Sequence, residues 1–221
     1  MKNLISNIIS LKGSITEDYI NEIQYPWELI NSLKDIIIRI GNTLDKEEFS
    51  EIGKNIWIHK TVLLDKTATI IGPCIIDKNA VVKVNAYIRE NVIIGKNCVI
   101  GNSTELKNSI LFDECKAPHF NYIGDSILGY KVHFGAGAIT SNVKSDYSNI
   151  SVKLNDIFYK TEKNKLGALI GDCCEIGSNC VIAPGAVIGK NTTIYPLVFA
   201  RGEIKENKIV KSKEIIVDKK V

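Results

Sequence analysis

A small group of charged residues falls at related positions along this sequence and could bind a phosphate. Arg89 and Lys107 lie 18 residues apart, and each follows an apolar residue by one position. Glu105 precedes Lys107 by two positions, which places both on the same side of an extended strand. A guanidinium can hold two phosphate oxygens at once, and a nearby ammonium adds a second positive charge. The spacing therefore predicts a phosphate site with a carboxylate beside it.

His119 is the residue whose chemistry best suits proton transfer. Acyl transfer to an amine needs a base within hydrogen-bond reach, and an imidazole accepts a proton near neutral pH. His133 follows 14 residues later and could line the same cleft. His59 follows an apolar residue at an ordinary corner of the repeat, and we expect it to be a solvated surface residue.

The elements that must position these residues are predicted by a period of six. An apolar residue recurs at every sixth position from Ile52 to Phe112, and the period returns at Tyr122–Thr140 and at Ile170–Ala200. This period fits a short strand plus a corner, wound into a coil with three flat faces. The sequence therefore predicts an all-β solenoid, a parallel β-helix of hexapeptide repeats, over residues 51–205.

The two breaks in the period predict two loop excursions, at residues 113–121 and 141–169. Loops on a rigid scaffold often carry function, so these are the places where we expect chemistry. The second excursion contains the alternating run Ile150–Leu154, which predicts an additional hairpin.

The segments that flank the repeat have a different pattern. Residues 1–50 contain apolar residues at spacings of three and four, which predicts an amphipathic helix that begins near Pro26 and ends near Gly41. We expect this N-terminal helical cap to cover the open first coil. Residues 206–221 form a lysine-rich tail with a short β-like run, Glu214–Val217, which we expect to be a peripheral strand or a partly ordered arm.

Composition bounds the possible partners. The 28 basic and 25 acidic residues are too evenly balanced to indicate a nucleic-acid or membrane partner. The sequence shows no signal peptide or long apolar stretch, so we expect a cytoplasmic protein. Four of the six cysteines, Cys74, Cys98, Cys174 and Cys180, fall at a second inward position of the repeat. We therefore expect them to pack in the core, with no metal bound.

Three sequence motifs resemble a known enzyme family. The run Lys116–Asp125, which reads Lys-Ala-Pro-His-Phe-Asn-Tyr-Ile-Gly-Asp, resembles the active-site loop of glucosamine-1-phosphate acetyltransferases. These are the left-handed β-helix halves of bifunctional N-acetylglucosamine-1-phosphate uridyltransferases. The run Phe134–Asn142 resembles the next motif of that family, and Lys165–Asp172 is similar to related sugar-1-phosphate nucleotidylyltransferases. The resemblance covers residues 52–202.

The resemblance implies a role for each matching position. His119 matches the general base, Glu105 a carboxylate near the amino sugar, and Asn142 a residue that contacts the substrate. The positions that match other substrate-binding residues are Arg89, Lys107, Tyr122, His133 and Lys165, with asparagine more usual in the family at position 133. Ala136 and Ser178 match wall positions of the acetyl-coenzyme A cleft. The resemblance also implies left-handed coils and a homotrimer whose sites are shared between neighbouring copies.

Together these features predict an acetyl-coenzyme A-dependent N-acetyltransferase that acts on an amino-sugar phosphate such as glucosamine-1-phosphate. We do not expect nucleotidyl transfer on this chain, because no Gly-rich nucleotidyltransferase motif is present. Two alternatives remain open. One is a non-catalytic β-helix that serves as a regulatory or assembly module, and the other is an acetyltransferase whose acceptor is a nucleotide-linked amino sugar.

Overall fold

The computed structural model of the protein describes residues 8–11, 13–20, 23–212 and 216–218, and its main body is a parallel β-helix. Short strands alternate with corners, and the chain visits three sheets in turn, so that each sheet forms one face of a three-sided coil. The predicted parallel β-helix of hexapeptide repeats is confirmed, and the left-handed turn of its coils stays a prediction.

Each face of the coil is a sheet whose strands come from successive turns. Face A contains β1 (Phe49–Gly53), β2 (Ile56–His59), β5 (Cys74–Ile76), β8 (Val92–Ile94), β11 (Ser109–Leu111), β14 (Ile127–Leu128), β19 (Ala168–Ile170), β22 (Ala186–Ile188) and β25 (Glu203–Ile204). Face B contains β3 (Leu63–Leu64), β6 (Val81–Val82), β9 (Val99–Asn102), β12 (Lys116–His119), β15 (His133–Phe134), β20 (Glu175–Ile176), β23 (Thr193–Ile194), β26 (Lys208–Val210) and β27 (Ile216–Asp218). Face C contains β4 (Thr69–Ile70), β7 (Tyr87–Ile88), β10 (Glu105–Lys107), β13 (Tyr122–Gly124), β16 (Ile139–Thr140), β21 (Val181–Ile182) and β24 (Phe199–Ala200).

The interior of the coil is a stack of inward side chains that repeat from turn to turn. On face A, for example, Ile76, Ile94, Leu111, Leu128 and Ile170 lie in register and are buried. Small residues fill the corners of the stack. Cys74, Cys98, Cys115, Cys174 and Cys180 are all buried in this stack, which confirms the packing role predicted for four of them. Apolar burial of this kind drives the coil to stack on itself.

The predicted excursion at residues 113–121 is wrong. Residues Lys116–His119 form strand β12, which pairs in parallel with both neighbouring strands of face B. The coil here is one residue shorter, because Leu111 pairs with Ile94 and Leu128, 17 residues away on either side. The inward residues are therefore Leu111, Ala117 and Ile123, rather than Phe112 and Tyr122. A strict count of six missed two one-residue deletions, one between Leu106 and Leu111 and one between Ile123 and Leu128.

The second predicted excursion is present and contains the predicted hairpin. Strands β17 (Ser151–Leu154) and β18 (Ile157–Lys160) pair antiparallel outside the coil. The coil resumes at Ala168, two residues before the predicted return of the period at Ile170. The main-chain N–H of Leu166 donates to the carbonyl of Asn142, so the insertion leaves and rejoins the coil at adjacent points.

The N-terminal segment contains α1 (Glu17–Ile20) and α2 (Pro26–Gly41), so the helix predicted from Pro26 to Gly41 is confirmed. Its predicted position is wrong. The apolar side of α2 packs in a cluster with residues that point outward from face A, rather than over the end of the first coil. At that end Leu64, which is in register with the inward residue Val82, remains 40% exposed. Face A attracts the helix because its outward residues are apolar: Trp57, Ile75, Ile93, Ile110, Ile127, Leu169 and Val187.

Three further expectations can be compared with the structure. Ile52 is exposed because β1 runs antiparallel to β2 and is not part of the coil. His59 is 6% exposed and packs edge-on against Phe49, so the expectation of a solvated surface residue is wrong. In the tail, β26 continues the coil past residue 205, and β27 is the predicted peripheral strand.

Residues 1–7, 12, 21 and 22 of the predicted cap, and residues 214–215 of the predicted β-like run, lie outside the described residues. Among the described residues, no helix combines the length and apolar character needed to cross a membrane.

Candidate active site

Five of the predicted site residues lie together along face C. Glu105 and Tyr122 are in register on adjacent strands, with Arg89 at the end of one neighbouring strand and Asn142 beyond the other. Lys107 shares β10 with Glu105, and both flank the inward residue Leu106. The alternation of side chains along a strand therefore aims the charged residues outward while Leu106 holds the strand in the core.

Arg89 is the best-ordered cation of this group. Its Nη1 donates to Glu105 Oε1 at 3.1 Å, and its Nη2 lies 3.6 Å from Glu90 Oε1. The hydrogen bond to Glu105, with the nearby Glu90 charge, raises the pKa of the guanidinium. Both side chains of the Arg89–Glu105 pair are 33% exposed, so solvent and ligands can reach them. The pair fixes the orientation of a positive group while a face of the guanidinium stays accessible.

Tyr122 and Asn142 form the second part of the site. Asn142 Nδ2 lies 3.2 Å from Tyr122 Oη, and it also donates to the carboxylate of Asp125. Partial burial raises the pKa of the Tyr122 phenol, and the carboxylates of Asp125 and Glu105 add to the effect. Tyr122 therefore stays protonated at neutral pH and can donate a hydrogen bond.

Asp125 is a functional candidate that sequence reasoning missed. Its side chain is 5% exposed and accepts from Asn142 and from Asn108 Nδ2, the latter at 2.7 Å. Its carbonyl accepts from the N–H of Gly167, so it also ties the end of the insertion to the coil. The sequence signal for Asp125 was its place as the final residue of the motif Lys116–Asp125. Its role in the structure is to position Asn142.

His119 lies at the corner between face B and face C, three residues before Tyr122. It is exposed, and its imidazole has no partner among the described residues. The corner beneath it is well anchored: buried Asn121 donates from Nδ2 to the carbonyls of Gly135 and Ala138 at 2.8 and 3.0 Å, and its Oδ1 accepts from the His119 N–H. An accessible base on a rigid corner fits proton transfer to or from a bound ligand.

Ala136 and Ser178 extend this corner along the coil axis. The N–H of Gly137 donates to the carbonyl of His119 at 3.0 Å, and the N–H of Asn179 donates to the carbonyl of Ala136 at 2.8 Å. Ala136 and Ser178 therefore lie on the turns that follow the turn of His119.

Two of the predicted residues lie apart from the group on face C. His133 is on face B, in register with Lys116 and Glu175. Lys165 is exposed within the insertion, next to Leu166 at the point where the insertion rejoins the coil. One copy of the chain therefore presents the Arg89 group and His133 on different faces. Within the described part of the chain, no cluster of three His, Cys, Asp or Glu side chains is arranged to hold a metal ion.

Comparisons with known proteins match the sequence to two family models. Residues 70–157 match the GMPPB C-terminal domain, and residues 167–200 match the bacterial transferase hexapeptide of six repeats. The chain is 34% identical over 225 residues to the bifunctional protein GlmU of Methanococcus maripaludis strain S2, covering 100% of this chain and 54% of that protein. It is 30% identical over 217 residues to the bifunctional protein GlmU of Methanocaldococcus jannaschii, covering 96% of this chain and 52% of that protein.

A shorter match, 37% identical over 92 residues, is to a bifunctional sugar-1-phosphate nucleotidylyltransferase/acetyltransferase of Sulfurisphaera tokodaii; it covers 42% of this chain and 23% of that protein. The chain spans about half the length of the GlmU relatives it matches. The predicted resemblance is confirmed: the chain is similar, over its whole length, to part of the bifunctional GlmU proteins, and residues 167–200 match the hexapeptide repeats of bacterial transferases.

Proposed function

We propose that the protein transfers an acetyl group from acetyl-coenzyme A to the amine of an amino-sugar phosphate such as glucosamine-1-phosphate. The observation that carries this proposal is the polar group on face C, with Arg89 held by Glu105 and Tyr122 beside Asn142, next to the exposed base at the His119 corner. The name of the sugar-1-phosphate nucleotidylyltransferase/acetyltransferase relative agrees with acetyl transfer and with a sugar phosphate as the substrate.

In the proposed reaction, the sugar phosphate lies against Arg89 and Lys107, whose positive charges complement its phosphate. The amine nitrogen attacks the thioester carbonyl, a carbon–nitrogen bond forms and the carbon–sulfur bond breaks. His119 takes the proton that the amine loses and returns it to the leaving thiolate. Glu105 and Asn142 face the acceptor, and the protonated Tyr122 donates a hydrogen bond to it. Ala136 and Ser178 line the groove for the acyl donor, and Lys165 approaches the ligand from the insertion.

The working form is proposed to be a homotrimer in the cytoplasm. The face C group lies on one shallow outer surface, and His133 lies on another. A neighbouring copy packed against face C would add a second wall to the site, and His133 would come from that copy. Light scattering at micromolar concentration should give about three times the 24.5-kDa chain mass. A monomer would contradict the shared site.

The activity test measures thiol release from acetyl-coenzyme A with a panel of acceptors, with the product identified by mass spectrometry. Glucosamine-1-phosphate should react fastest, and unphosphorylated glucosamine should react poorly, because only the former engages the cationic pair. A preference for a nucleotide-linked amino sugar would favour that alternative acceptor. Failure to bind acetyl-coenzyme A by calorimetry would favour the non-catalytic module.

A further inference from the structure

Three successive turns of the coil depart from a pattern at the corner between face A and face B. The residue at this corner has a positive φ in each turn, and in most turns it is asparagine: Asn79, Asn97, Asn191 and Asn207. In the three central turns it is Glu114, Lys131 and Cys173. Asparagine tolerates the left-handed conformation better than these residues do. These three turns therefore carry charged or thiol side chains at a position that asparagine occupies in four other turns.

The same three turns change the character of face B. Two residues beyond each corner, the outward positions are Lys116, His133 and Glu175, which lie in register. The earlier turns carry Leu63, Val81 and Val99 at this position, and the next turn carries Thr193. One cavity of about 380 Å³ is lined by the three corner residues and the three outward residues of these turns: Glu114, Lys116, Lys131, His133, Cys173 and Glu175. We call these residues the face B polar block.

Contacts inside the face B polar block fix the tautomer of His133. His133 Nδ1 lies 2.7 Å from Glu175 Oε2, and these side chains are 40% and 55% exposed. Glu114 is engaged elsewhere, since it accepts from Tyr130 Oη at 2.9 Å and lies 3.4 Å from Lys131 Nζ. A carboxylate accepts only, so the neutral imidazole must carry its proton on Nδ1, and Nε2 is left as a hydrogen-bond acceptor.

We propose that Glu175 is a positioning residue that fixes His133 as the Nδ1–H tautomer, so that Nε2 accepts a hydrogen bond from a hydroxyl of the acceptor sugar. This inference rests on the proposed function, because the sugar is bound at the face C group of a neighbouring copy. The asparagine that the family more often has at position 133 could donate as well as accept. Towards the ligand, His133 held by Glu175 can only accept a hydrogen bond, so it selects for a ligand group that donates one.

The tautomer can be measured without any activity assay. The chain has three histidines, so ¹⁵N-histidine labelling gives a spectrum with three imidazoles to assign. At alkaline pH the wild-type His133 should be the Nδ1–H form. Glu175→Ala should convert it to the Nε2–H form that a free imidazole favours, and Glu175→Gln should retain Nδ1–H because its amide oxygen still accepts. An Nε2–H form in the wild type, or an unchanged Nδ1–H form in Glu175→Ala, would overturn the positioning role.

Kinetics test the contact with the acceptor. Glu175→Ala should raise the acceptor KM by about 5- to 10-fold, the scale of one hydrogen bond, with kcat and the KM for acetyl-coenzyme A changed by less than about 2-fold. Glu175→Gln should restore most of the acceptor affinity. Thr193→Ala, one turn further along face B, is the control and should change neither constant. Because Glu175 is exposed, we expect both variants to fold.

Deoxy analogues of the acceptor identify the hydroxyl. With the analogue that lacks the contacted hydroxyl, wild type and Glu175→Ala should have equal KM values. A shifted tautomer with an unchanged acceptor KM would overturn the binding role. If no acceptor supports transfer by the wild type, the proposed function and this binding role fail together, while the NMR result still decides whether Glu175 positions His133.

Discussion

Face A and face C are built from the same repeat, yet their outward residues meet different surroundings. On face A, the in-register outward residues Ile93, Ile110 and Ile127 are buried beneath the N-terminal segment and the hairpin insertion. On face C, the outward residues Glu105 and Tyr122 of the corresponding turns remain accessible and join Arg89. The inward side chains behind face A and behind face C form similar apolar columns. The interior of the coil therefore determines the fold, while the outward columns determine which face is packed and which face binds.

The hairpin insertion that covers face A also contacts the residues of the site on face C. Tyr159 of the hairpin packs against both Tyr25 and Trp27 of the N-terminal segment, with ring centroids 5.4 and 5.5 Å away. The same insertion is joined to the coil through Asn142 and Asp125. The packed face thus holds in place the insertion that borders the binding face.

The largest effect is expected at the corner that borders face C. His119→Ala should lower kcat by a factor of roughly 10²–10⁴, the usual contribution of a positioned base, because the amine then keeps its proton during attack. The measurement is steady-state acetyl transfer, with fold and assembly checked by circular dichroism and light scattering.

His59→Ala is the matched control for that variant. His59 is buried against Phe49, so its loss should lower the stability and leave kcat nearly unchanged. Normal turnover in folded His119→Ala would exclude His119 as the base.

The next effect distinguishes the packed face from the exposed surface. Ile110→Ala should lower the free energy of unfolding by about 3 kcal/mol, because it leaves a cavity between face A and its covering segments. Ile52→Ala removes the same atoms from an exposed side chain and should cost less than about 0.5 kcal/mol. Urea unfolding measures both. Equal losses would show that the N-terminal segment does not pack on face A.

The difference between these two isoleucines shows how far the sequence could predict the structure. The six-residue period predicted the β-helix, because inward positions tolerate only apolar or small side chains. The period could not show that Ile110 points outward. A coil that is one residue shorter shifts which positions face inward, and an apolar residue on the outside cannot be told from one on the inside by its type alone. Nor could the period show what covers an apolar face, because that depends on the path of α2.

The candidate site was predictable to a similar extent. Arg89, Glu105 and Lys107 share a face because strand alternation is a local property of the chain. The separation of His133 from them depends on which side of the coil each strand occupies. The roles of Asp125 and Asn121 depend on hydrogen bonds across turns 14–17 residues apart.

A smaller effect is expected from the phosphate cation. Arg89→Ala should raise the KM for the sugar phosphate about 30-fold, which corresponds to roughly 2 kcal/mol for a charge-assisted hydrogen bond. The KM for acetyl-coenzyme A should stay nearly constant. Arg39→Ala is the control, because Arg39 packs on Tyr19 in the N-terminal segment, away from face C. An equal loss with unphosphorylated amino sugar would show that Arg89 has another role.

The smallest effect is expected at Tyr122. Tyr122→Phe removes one neutral hydrogen bond and should lower kcat/KM by about 5-fold, or roughly 1 kcal/mol. Tyr147→Phe, at an exposed tyrosine of the insertion, should have no effect. A similar loss in both variants would show that the hydroxyl of Tyr122 is not specifically used.

The raised pKa of Tyr122 gives this residue a pH signature. A pKa raised in the folded state means that the associated stability is present below the ordinary tyrosine value of ~10 and is lost as pH rises through the raised value. The wild type should therefore lose more stability than Tyr122→Phe in that alkaline range, as measured by urea unfolding. Identical pH profiles would contradict the raised pKa.

The most direct test of the central claim, that face C binds the acceptor, is a crystal structure with glucosamine-1-phosphate and coenzyme A. The account predicts that the phosphate lies within hydrogen-bond distance of the Arg89 guanidinium and the Lys107 ammonium. It also predicts that the amine faces His119, and that His133 of a neighbouring copy closes the pocket. A sugar phosphate bound with no contact to Arg89 or Lys107 would contradict it.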